Sequence, residues 1–81
     1  MEDREILDCI QGLVAEERRL RVLRDRGDVS EDVEVLRLGQ LERDLDQLWD
    51  TLRRRRAMRA AGLDPDTVED RPQFQVEAYV Q

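Results

Sequence analysis

Leu38, Leu41, Leu45, Leu48 and Leu52 follow one another at spacings of three, four, three and four. That alternation is the repeat at which an α-helix keeps a narrow apolar line turned toward a partner helix. A strand has a period of two and would scatter the same leucines over both of its faces. The pattern therefore predicts a long second helix over residues 31–61 whose seam must be covered by another helix. Trp49 broadens the stripe on one side, and Val35 lies on that same side.

The same chain supplies a partner. Ile6, Ile10, Leu13 and Leu20 recur at the same spacings, with Glu17 in the remaining seam slot and Leu7, Val14 and Leu23 on the flanks. They predict a first helix over residues 2–26. Gly12, inside it, costs about 1 kcal/mol relative to alanine and marks a close approach or a soft point. Between the helices stands Gly27-Asp28-Val29-Ser30. Gly27 suits a left-handed C-cap, and Ser30 suits an N-cap followed by the acidic turn Glu31, Asp32 and Glu34. Gly62 and Pro65 end the second helix. Residues 62–81 form a C-terminal tail in which Phe74, Val76, Ala78 and Val80 alternate around Tyr79, expected as an extended or singly turned segment docked on the helices, or else partly disordered.

Charge fixes the direction of pairing. Each helix begins acidic and ends basic: Glu2, Asp3, Glu5 and Asp8 against Arg24 and Arg26, then Glu31, Asp32 and Glu34 against Arg53 to Arg56. Both gradients agree with their own helix dipoles. A short connection makes the helices antiparallel neighbours, so each acidic start meets the other's basic end. The counting places Asp3 near Arg54, Glu5 near Leu52 and Ile10 near Leu48. The fold class is all-α: an antiparallel, coiled-coil-like two-helix hairpin over residues 1–61. The apolar stripe is wider than one seam covers, which predicts a homodimer in the form of a four-helix bundle. Its interface would use Leu7, Val14, Val35, Leu45, Trp49 and Leu52.

Several function classes fall away on composition. The chain has 81 residues, a net charge of −6 and 42% charged residues. An acidic balance argues against nucleic acid as a partner. There is no histidine and only one cysteine, Cys9, so neither a Cys/His zinc cluster nor an internal disulfide is available. Cys9 reads as a small packing residue. The acidic N-terminus is unlike a targeting peptide, and no apolar run reaches membrane-spanning length; the expectation is a cytoplasmic protein without a membrane partner. Glu16 with Glu17 and Asp46 with Asp50 pair carboxylates, but a hairpin offers no pocket to raise a pKa for acid–base work. No catalytic residue, metal site or cofactor is expected.

The run Arg53-Arg54-Arg55-Arg56, with Arg59 one turn on, could hold an anion through bidentate guanidinium contacts. Asp3, Glu5 and Asp50 are positioned to neutralise Arg53 and Arg54. Arg55 and Arg59 fall outside that reach in this counting. With Arg56, they are the candidate contacts for an anionic partner or ligand.

The stretch Leu41-Glu42-Arg43-Asp44-Leu45-Asp46-Gln47-Leu48-Trp49-Asp50-Thr51-Leu52 resembles an uncharacterised family of small actinobacterial helical-hairpin proteins, a domain of unknown function. Leu13-Val14-Ala15-Glu16-Glu17, Gly62-Leu63-Asp64-Pro65-Asp66 and Val76-Glu77-Ala78-Tyr79 extend the likeness over nearly the whole chain. This chain carries Arg18 where the family pattern has a histidine, and Leu48 where a cysteine is common. The resemblance implies no activity. The residues themselves point to a non-enzymatic protein–protein interaction module, regulatory or scaffolding, that pairs with itself and with another protein. The alternative is a sensor of a small, nucleotide-type anion at the arginine-rich end.

Overall fold

The computed structural model describes residues 2–69. Helix α1 spans Asp3–Asp25, helix α2 spans Glu31–Ala60, and one 3-10 turn follows at Pro65–Thr67. The helices pack against each other as a hairpin, and the turn packs back on α2. The tail cluster from Phe74 to Val80 lies outside the described residues.

Both helices stop the same way. At the end of α1, Gly27 has φ +77°, its N–H donates to the Arg24 carbonyl at 3.0 Å, and Asp28 N–H donates to Leu23 at 2.8 Å. At the end of α2, Gly62 has φ +74°, with Gly62 N–H on Arg59 at 3.0 Å and Leu63 N–H on Met58 at 2.8 Å. These are paired Schellman closures, and the left-handed backbone at their centre is open to glycine with no Cβ penalty. The starts differ. Ser30 Oγ accepts from Val33 N–H at 3.2 Å, as its N-cap position predicts. At α1 the Glu5 carboxylate turns back to accept from Glu2 N–H at 3.1 Å, which occupies a group expected to face the arginines.

The core follows the seam. Ile6, Ile10 and Leu52 form its buried centre, and Leu7, Val14, Leu45 and Leu48 pack around them partly covered. Leu20 and Leu41 are also buried. Burying a side chain of this size stabilises by roughly 1.5–3 kcal/mol, so a handful of residues carries most of the apolar contribution. Among the described residues, no helix is long and apolar enough to cross a membrane.

One expectation for α1 is corrected, and an open one is decided. Cys9 is exposed rather than packed. Gly12 meets no close neighbour, for a Cβ built there would have nothing within 4 Å. Both line a shallow groove with Leu13, Asp44, Gln47 and Leu48. Position 12 is thus a soft point in the helix and not a close approach. Gly12→Ala is expected to raise stability to urea by up to about 1 kcal/mol, read as a shift of the denaturation midpoint at unchanged slope. A loss of stability would mean that the groove is filled in solution.

Candidate functional site

The three-four count does not end with the leucines. On α2 it runs back from Leu38 to Glu34 and Glu31, and forward from Leu52 to Arg55 and Arg59. On α1 it runs back from Ile6 to Asp3 and forward from Leu20 to Arg24. Seam positions face the partner helix whatever residue fills them, so each apolar line is capped at both ends by charge. At the closed end, Arg24 lies 3.6 Å from both Glu31 and Glu34. Beside the seam, Arg37 Nε donates to Glu16 at 2.9 Å.

The open end is tighter. Arg55 is only 5% exposed. Its Nε donates to Asp3 Oδ1 at 2.7 Å, and its Nη1 donates to the Pro65 carbonyl at 3.1 Å and to Asp66 Oδ1 at 3.0 Å. Arg59 pairs with the other oxygen of Asp3. The receiving turn is prepared locally. The Asp64 carboxylate accepts from Asp66 N–H at 2.9 Å, and the Thr67 hydroxyl donates to the Asp64 carbonyl at 2.8 Å. One guanidinium thus joins the first turn of α1, the last turns of α2 and the chain beyond. Hydrogen bonds from Arg59 and Arg55 hold the Asp3 carboxyl down at about 2, from an ordinary 3.8, and the Asp3 contact raises Arg55 above its usual value.

This geometry reverses part of the expected division of labour. Arg55 and Arg59 do not lie beyond the reach of α1; they are the residues that bind Asp3. Arg54 keeps its expected contact with Asp50, at 3.4 Å. Arg53 and Arg56 are exposed and hold no ion pair among the described residues. The physical reason is rotation: Arg55 and Arg59 continue the seam, whereas Arg53 and Arg56 turn away from α1. Of the candidate anion contacts, only Arg56 is both exposed and unpaired. Of the candidate interface residues, Leu52 is fully covered within one hairpin and cannot reach a second molecule. Leu7, Val14 and Leu45 are partly covered, while Val35 and Trp49 are exposed.

Two helices latched by charge around one apolar seam define a small helical-hairpin protein. The chain belongs to the family described as "Protein of unknown function (DUF2630)", whose model matches residues 2–81. It is similar to uncharacterized proteins of Mycobacterium bovis and of two strains of Mycobacterium tuberculosis. Each is 48% identical over 77 residues, covering 95% of this chain and 88% of the relative. No solved structure matches the chain.

The Asp3 latch has a pH signature. A carboxyl whose pKa falls on folding contributes stability that is complete above its unfolded value and lost as pH drops toward its folded value. For Asp3 that window runs from about 3.8 down to about 2. The melting temperature of the parent is expected to fall across it. Asp3→Asn should lie below the parent at neutral pH and show a shallower acid limb in the same calorimetric series.

Proposed function

We propose that the hairpin is a non-enzymatic protein–protein interaction module, regulatory or scaffolding in role, whose first partner is a second copy of itself. One observation carries this reading: among the described residues, a single seam leaves Val35 and Trp49 exposed on one side of α2. Val35 is 63% and Trp49 39% exposed. A tryptophan can bury roughly 150–250 Å², and aromatic residues of this kind anchor interfaces. Leu7, Val14 and Leu45, already half-covered from within, extend the same apolar ground. Dimerisation would complete a four-helix bundle, the usual way for amphipathic hairpins to cover a second stripe.

The anion-sensor alternative finds less support, because Arg55 and Arg59 are engaged by Asp3 and Asp66. The dimer reading is tested by sedimentation equilibrium at micromolar concentration. The parent should be a dimer, and Trp49→Ala combined with Val35→Ala should yield a folded monomer with an unchanged helical spectrum. A monomeric parent would overturn the reading.

A further inference from the structure

One flank of α2, running from the edge of its seam outward, is ordered by charge along its length. From the seam residues Glu31, Leu38 and Leu45 it passes to Val35, Glu42 and Trp49, and Arg53 and Arg56 follow Trp49 at spacings of four and three. The stripe is acidic at its start, apolar through its middle and basic at its end. Arg53 and Arg56 are exposed and unpaired among the described residues. At the other end, the Glu31 side chain is 76% exposed and holds Arg24 only loosely, at 3.6 Å. Beside it Glu31, Asp32, Val35 and Leu36 line an open groove. That groove has an apolar floor and an acidic rim, the environment that suits an arginine with its stem buried and its head paired.

We infer that the second copy packs with its α2 antiparallel to this one, in the register that sets Leu38 against Trp49. The inference rests on the dimer reading above and adds its geometry. In that register Glu31 faces the second copy's Arg56, and the pairing recurs at the other end because a two-fold axis repeats every contact. Arg53 then falls beside the acid-rimmed groove. Glu42 faces Leu45 instead of another Glu42, so no like charges meet at the axis. Parallel packing would set Glu31 against Glu31 and Arg56 against Arg56, and like charges in close apposition are strongly unfavourable.

Three full-length variants test this: Glu31→Arg; Arg53→Glu with Arg56→Glu; and all three changes in one chain. Sedimentation equilibrium reads the dimer constant, and thermal melting confirms that each variant is folded. Each one-sided variant should dimerise at least about tenfold more weakly than the parent. An equimolar mixture of the two, and the triple variant alone, should recover the parent's affinity to within about threefold. Antiparallel packing alone lets the triple variant pair with itself. A weakly associating triple variant overturns the inference, as do one-sided variants that dimerise like the parent. Both outcomes leave the dimer reading intact, whereas a monomeric parent ends both. Should Glu31→Arg fail to fold, chains carrying Glu31→Cys and Arg56→Cys, each with Cys9→Ser, are mixed and oxidised. A mixed disulfide in excess over the symmetric ones supports the antiparallel register, and symmetric disulfides in excess overturn it.

Discussion

The contact between Asp3 and Arg55 is what the open end of the hairpin depends on. A hairpin of two helices is closed covalently at one end only, and here the other end carries charge at the seam positions. Arg55 gives up nearly all contact with water, and this is tolerable only because Asp3, Asp66 and the Pro65 carbonyl accept its hydrogens. Those acceptors come from segments far apart in sequence. The guanidinium therefore ties the start of α1 to the chain that follows α2. The apolar centre of Ile6, Ile10 and Leu52 lies just inside this latch and is sealed by it.

Much of the fold was legible because it rests on short-range rules. Gly27, Ser30 and Gly62 announce their caps, the leucine spacing announces the seam, and the charge gradients with the short connection announce its antiparallel direction. The sequence places Asp3 at the basic end of α2, but a count of facing positions sets it against Arg54 and leaves Arg55 and Arg59 out of reach, whereas the side chains of Arg55 and Arg59 are the ones that bind it. Carrying the three-four count past Leu52 to Arg55 and Arg59, and back from Ile6 to Asp3, finds the latch. The width of the apolar stripe puts Leu52 at an outer interface, but its seam position places it inside the hairpin. Cys9 and Gly12 were harder, since spacing says which face a residue occupies but not how completely a neighbour covers it.

The arginine run illustrates how one helix serves two surfaces. Successive residues turn by about 100°, so four consecutive arginines cannot share a role. Arg55 turns into the seam with Arg59, and Arg54 lies along its own helix toward Asp50. Arg53 and Arg56 face outward, on the side that carries Trp49. The acid-to-base gradient that orients α1 against α2 is thus repeated on the outer side of α2. This repetition is why the proposed partner is another copy of the same surface.

One buried guanidinium couples the start of α1 to the turn after α2. Hydrogen exchange in the parent and in Arg55→Met tests it most directly, because the substitution keeps the apolar bulk while removing the donors. The informative amides are that of Ile6, bonded to the Glu2 carbonyl, and those of Thr67 and Val68, bonded to Asp64 and Pro65. If the guanidinium couples the two segments, exchange accelerates at both places together while the amides around Leu41 keep their protection. Acceleration confined to one of the two segments, or absent from both, would contradict it.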